Sequence, residues 1–326
     1  TKLVVVSSGP MAGLPVEALM DSSEVPVGER YEVLYASSGS SLIRLRERAE
    51  RGSGKRGAVQ RALLVGDPTL GGGSTSVSGY GDKSMGEREP AFERRILRGV
   101  LRGQPESIHQ LPGLPSSREE IDGIARAYPQ STVLLGDGAS ETALMEQALR
   151  GDLAAYSVIH LSTHAVIDNE DPLRSALVLS QTGLPDPAWA VTTRQPVRDG
   201  LLRVGEIMSS WRLDADLVTL SACETALGPR TGDESPAGFA HALLAAGARN
   251  LLLSLWKVDD EATALLMKRF HENRCGASGG APRSDAAALR EAREWLRGYR
   301  DSRGNRLYRD PYYWAAFVLM GTGSAR

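Results

Sequence analysis

Short apolar runs alternate with longer amphipathic stretches along most of the chain, and the two patterns predict alternating strands and helices. Leu3–Val6 and Tyr31–Tyr35 read as strands, Leu14–Met20 after Gly13 as a short helix, and Ser41–Glu50 as a charged amphipathic helix. Residues 51–57 are basic and rich in glycine, and read as a linker. Residues 61–66 then read as the first strand of a new sheet. The stretch 71–88 is Gly- and Ser-rich with almost no apolar content, and reads as a flexible insertion. Its glycines lack the lysine and spacing of a phosphate-binding loop.

From residue 116 onward the alternation is regular. Ser117 with Glu120 forms a capping-box pattern ahead of Ile121, Ile124, Ala125 and Tyr128 at helical spacing. Thr132–Leu135 is a strand, and Ser140 caps a helix to Leu149. The segments 156–164 and 216–223 are strands, with a short strand at Ala176–Leu179 and a loop over 181–200 between them. Ser235 and Pro236 open a helix over Ala237–Ala246, which Gly247 stops. A strand follows at Leu251–Trp256, then a helix led by Asp259, Asp260 and Glu261 and ending at Lys268 and Arg269. A helix over Ala286–Leu296 and a strand at Trp314–Met320 close the pattern. Strands alternating with helices imply an α/β fold in three layers, a mostly parallel sheet covered by helices on both faces. Residues 1–60 are expected to form an accessory α/β part, and 61–326 a core interrupted by the insertion at 71–88.

Composition narrows the function classes more than the fold. At 326 residues, with 41% hydrophobic and 24% charged residues, the chain is an ordinary globular sequence. A net charge of −2 offers no electrostatic case for nucleic acid or an anionic membrane. No apolar run approaches the roughly 20 residues that span a bilayer, and the segment 250–256 reads as a buried strand. Cys223 and Cys275 are the two cysteines, too few for a disulfide framework or a thiolate zinc cluster. No cofactor or metal is expected. No secretory signal is visible, so a cytoplasmic location is expected. The chain begins at Thr1 rather than Met, and further residues are expected upstream in the native gene product.

Two of the strands end in reactive side chains. His164 closes the segment 156–164 and Cys223 closes 216–223, at the carboxyl ends where an open α/β sheet binds ligands. A strand cysteine is usually core. Against this, Cys223 comes last in its run and polar Glu224 and Thr225 follow. A cysteine aimed into a crevice beside a base ionises at neutral pH and attacks carbonyls. Cys275 lies in a polar stretch and reads as an incidental exposed thiol. His109 lies in a polar connection, and His241 and His271 fall on helices without further signal. His160 and His164 have the spacing of a helical zinc pair, but Leu161 stands where that motif has Glu and the segment reads as strand. His160 is then a hydrogen-bonded structural histidine and His164 the base. Thiolate attack on an amide needs donors for the oxyanion, and the backbone amides of Ala165 and Cys223 are the candidates. Asp168 and Asp171 could orient His164 or could be solvated loop charges.

Several segments together resemble the CHAT-domain family, caspase-like cysteine peptidases of the clan of caspases, metacaspases and separase. They are Leu14-Pro-Val-Glu-Ala-Leu19, Tyr156–Ala165, Leu220–Gly228, Ala245–Thr263 and Pro311–Gly321, in family order over nearly the whole chain. The resemblance implies a caspase-type fold, His164 and Cys223 as a catalytic dyad, and a pseudo-peptidase half at the N-terminus. It implies that the segment Ser254–Asp259, including Trp256, pairs with the extended backbone of a protein substrate. It further implies a bacterial peptidase joined to an N-terminal tetratricopeptide or sensor module, or held in a regulatory complex, and activated in antiviral defence or cell death. Two positions depart from the pattern. Ala165 stands where the family has Gly after the base, so the oxyanion site requires that no positive φ is needed there. Ser221 stands where Arg- or Lys-specific relatives carry Asp, so a basic P1 preference is not supported there; Asp168, Glu224 and Asp259 remain candidates for an acidic pocket. Two other functions compete: a non-catalytic interaction domain, for which Ala165 argues, and a Cys-dependent acyltransferase or amidase acting on small molecules.

Overall fold

The computed structural model describes residues 1–6, 13–52, 60–71, 99, 108, 109, 111–222, 238–257, 259–277 and 279–323. In chain order the strands are β1 (Lys2–Val5), β2 (Glu32–Tyr35), β3 (Arg61–Pro68), β4 (Gln130–Gly136), β5 (Val158–Ser162), β6 (Ala165–Val166), β7 (Ala176–Val178), β8 (Leu201–Arg203), β9 (Leu217–Ser221), β10 (Asn250–Ser254) and β11 (Phe317–Gly321). Eight of them form one sheet in the order β1-β2-β11-β10-β9-β5-β3-β4, so β3 does not open a new sheet but shares one with β1 and β2, which β11 joins to the rest. Neighbours run parallel except β10 and β11. The sheet therefore has five strands pointing one way and β11, β2 and β1 pointing the other. β6, β7 and β8 form a small antiparallel sheet beside the end of β5.

Central strands bury both faces, which is why apolar residues dominate their sequences. On one face Leu63, Ile159, Leu161, Val218, Leu220, Leu251 and Leu253 pack against α4 (Glu141–Arg150), α6 (Val204–Ser210) and α7 (Phe239–Ala246). On the other, Ala62, Leu64, Val158, Leu217 and Leu252 meet α3 (Pro115–Ala125), α8 (Asp260–Cys275) and α9 (Asp285–Gly298). Period-two alternation places His160, Ser162, Thr219, Ser221, Asn250 and Ser254 on this second face, and all six are buried. A buried polar stripe needs partners, and the helices facing it provide several.

The N-terminal segment is tied to that layer by a buried pair, Arg293 Nη2 to Glu17 Oε1 at 2.5 Å, and Tyr35 Oη also donates to Glu17. β2 meets β11 through Tyr35 and Met320. The helices α1 (Val27–Arg30) and α2 (Gly39–Gly52) complete this part.

Several elements differ from their sequence signals. α3 starts at Pro115, its first residue, so Ser117 and Glu120 lie inside the helix and face the sheet instead of forming a capping box. α8 continues past Lys268 and Arg269 to Cys275, where Gly276 at φ 73° supplies the left-handed cap. Cys275 is therefore a half-buried helix-end residue rather than an exposed loop thiol, and burial pushes its pKa up. The loop over 181–200 contains α5 (Pro187–Thr192), capped by Asp186. It is pinned at both ends, by Gln181 N–H to the Thr69 carbonyl at 2.8 Å and by the Asp199 and Gly200 amides on Glu141. Residues 311–314 form α10 (Pro311–Trp314) under an Asp310 cap, so the last strand begins only at Phe317. Apart from Gly71, the stretch 71–88 lies outside the described residues, as do Ser235 and Pro236. Among the described residues, no helix is long and apolar enough to cross a membrane.

Candidate active site

β5 ends where three elements converge. Its last residue, Ser162, donates its hydroxyl to Glu120 Oε2 at 2.9 Å, and its carbonyl accepts from Ser117 Oγ at 2.9 Å. Ser117 Oγ also accepts from Asp67 N–H at 2.9 Å, which ties the end of β3 to the same helix. His160 Nε2 lies 2.7 Å from Glu120 Oε1. The sequence reading of His160 as a hydrogen-bonded structural histidine matches this arrangement. Behind it, His160 Nδ1 lies 3.3 Å from His271 Nε2, and His271 Nδ1 lies 2.9 Å from Tyr128 Oη. Burial holds His271 well below the ordinary histidine range, with His160 and Arg274 adding to the effect.

Two residues past β5, His164 is buried, and its Nε2 lies 2.8 Å from the Pro112 carbonyl oxygen. A carbonyl only accepts, so Nε2 carries the proton, and Nδ1 is the basic nitrogen of the neutral ring. The carbonyl of His164 accepts from Val178 N–H at 2.9 Å, and Thr163 Oγ1 donates to the Val178 carbonyl. The imidazole and the main chain that carries it are both fixed.

Ala165 opens β6 opposite Leu177. Bonded and non-bonded pairs alternate along an antiparallel ladder, and the flanking His164–Val178 pair is hydrogen-bonded. The Ala165 N–H therefore points away from β7. Among the described non-glycine residues, only Glu24, Asp67 and Arg194 have positive φ, so Ala165 is unstrained where glycine was expected.

Asp168 serves its own loop, accepting from the Glu170 and Asp171 amides at 2.9 Å each, with Arg174 at 3.8 Å. Asp171 caps the turn Pro172–Arg174. The orienting group at His164 is instead a main-chain carbonyl, which no side-chain pattern in a sequence signals.

β9 runs beside β5 in register, with Ser162 opposite Ser221. Ser221 is buried, and its hydroxyl has no hydrogen-bond partner among the described residues. Ala222, next in the chain, receives the Ser254 hydroxyl on its carbonyl. Cys223 and Glu224 lie outside the described residues. Ser254 is thus buried against the end of β9. Trp256 Nε1 donates to the Tyr312 carbonyl at 3.0 Å, and Tyr312 Oη to the Lys257 carbonyl at 2.8 Å. Asp259 caps α8 by accepting from Ala262 N–H at 2.9 Å. Three contributors escaped the sequence: Pro112, Glu120 and His271. Pro115 was the available clue for Glu120, since a proline at the first helical position sets the helix start two residues before Ser117.

A family model described as the CHAT domain matches residues 1–322. The chain belongs to the CHAT-domain family. Among solved structures, the Saccharomyces cerevisiae separase–securin complex is similar with a TM-score of 0.52 at 14% identity, covering 98% of this chain. The CHAT chain spans 16% of that separase chain. The Arg-specific cysteine proteinase gingipain R (RgpB) is similar with a TM-score of 0.44 at 12% identity, covering 94% of this chain and 58% of its own. No curated protein sequence matches the chain. This CHAT domain has a caspase-like α/β fold, a mostly parallel sheet between two helical layers.

Proposed function

We propose that this CHAT domain is a cysteine endopeptidase in which Cys223 is the nucleophile and His164 its base. The observation that carries the reading is the pairing of β5 and β9 in register from Val158↔Leu217 to Ser162↔Ser221. His164 and Cys223 each follow the last register partner of their strand by two residues. With Nε2–H donating to the Pro112 carbonyl, Nδ1 is the ring nitrogen that takes the thiol proton.

In this mechanism the Cys223 thiolate attacks the substrate carbonyl, and negative charge develops on its oxygen. The Ala165 N–H, turned away from β7, and the Cys223 N–H stabilise that charge. The imidazolium then protonates the leaving amine, and water deprotonated by His164 hydrolyses the acyl-enzyme. The substrate backbone lies along Ser254–Asp259, beside Trp256, whose indole is held by the Tyr312 carbonyl. Asp259, Asp168 and Glu224 are the acidic candidates for side-chain recognition. The substrate is a specific protein, and regulation through an N-terminal tetratricopeptide or sensor module in a bacterial defence or cell-death pathway follows from the family resemblance. Residues 1–60 act as the accessory half.

A mass-coded peptide library incubated with wild type and Cys223→Ala tests this reading. Cleavage at a limited set of sites, lost in the variant, is the expected result. Equal cleavage by both proteins, or none by wild type with its regulatory partners present, favours a non-catalytic domain.

A further inference from the structure

Helix α3 meets the base from two directions. The chain just before the helix carries the Pro112 carbonyl, 2.8 Å from His164 Nε2. The buried face of the helix grips the strand that carries His164. Glu120 holds His160 at 2.7 Å with one carboxylate oxygen and Ser162 at 2.9 Å with the other. Ser117 adds its bond to the Ser162 carbonyl. Glu120 is 2% exposed. Burying a carboxylate so deeply is costly unless its oxygens are hydrogen-bonded, and both bond to one face of a single strand.

We propose that Glu120 is the positioning residue of the base, locking the end of β5 to α3 so that His164 and the Pro112 carbonyl keep their hydrogen bond. This role rests on His164 acting as the base. Ser162 is two residues from His164, and Pro112 three residues from the first residue of α3. A slip of about 1 Å between helix and strand would stretch the 2.8 Å bond past hydrogen-bonding range. The ring would then lose the acceptor that fixes its tautomer. Misplacement of that size costs catalysis on the order of 100-fold. The ionisable neighbours of Glu120 are His160, backed by His271, and Asp260 at the start of α8. Asp260 itself accepts from Ser116 N–H at 3.0 Å and secures the first turn of α3.

The test is alkylation of Cys223 by iodoacetamide, followed on the Cys223 peptide by mass spectrometry as a function of pH. A thiol paired with a correctly held imidazole reacts well below the ordinary thiol pKa of about 8.5. Glu120→Ala is expected to move the profile upward by about one unit or more, a rate loss of about tenfold near pH 6.5. Glu120→Gln, which keeps one acceptor and adds a donor, restores most of it. Ser162→Ala moves the profile the same way with a smaller burden on folding, and thermal melts confirm that each variant is folded. A folded Glu120→Ala or Ser162→Ala with the wild-type profile overturns the positioning role, whatever its stability. If wild type and His164→Ala share one profile, the base reading fails and this role with it. If only His164→Ala differs from wild type, the dyad stands and Glu120 is merely structural.

Discussion

Arg274→Met should expose how strongly the buried polar stripe depends on charge pairing. Arg274 and Asp285 have side chains only 2% and 0% exposed, and their Nε–Oδ1 distance is 2.7 Å. Asn250 donates to the other Asp285 oxygen at 2.9 Å, and Asp285 sits in the first turn of α9. Removing one partner of a buried pair costs about 3–5 kcal/mol, because the other charge is left uncompensated. Here the Asn250 bond and the helix N-terminus still serve Asp285, which points to the lower end, about 3 kcal/mol. At about 2.1 cal/mol/K per residue, a chain of 326 residues has an unfolding entropy near 0.7 kcal/mol/K, so the melting midpoint should fall by about 4 °C. Thermal melts near pH 7.5, with Arg274→Met/Asp285→Asn as the charge-free reference, read the effect. A midpoint shift below about 1 °C refutes this expectation.

His271 sets a pH dependence of stability. Its folded-state pKa is depressed chiefly by burial, so below about pH 6.5 the unfolded chain binds a proton that the folded chain excludes, and stability falls by up to about 1.4 kcal/mol per pH unit. His271→Gln should flatten that slope in urea titrations, and equal slopes would contradict the assignment. Ser254→Ala removes the hydroxyl that donates to the Ala222 carbonyl and should lower stability by about 1–2 kcal/mol. An unchanged melt would show that this contact does not hold the end of β9.

Much of the sheet was legible in the sequence because strands buried on both faces leave apolar runs, as at 62–65 and 251–253. His164 stood out as the reactive residue that ends the strand-like segment 156–164. Elements set by short local signals were less visible. β8 has three residues and α5 six, too few to build a periodic pattern. Ser117 and Glu120 showed the spacing of a cap yet serve as contacts to β5, because tertiary partners and helix ends favour the same residue types. The Pro112 carbonyl could not be read at all. Any residue presents the same main-chain oxygen, and only the fold decides which one meets His164.

The most direct measurement is covalent labelling of Cys223 by peptide electrophiles that mimic an acyl donor, mapped by mass spectrometry in wild type and His164→Ala. Wild type should be labelled at Cys223 and the variant should lose that labelling, while Cys275 reacts little in either. Labelling of Cys223 that is indifferent to His164, or confined to Cys275, would contradict it.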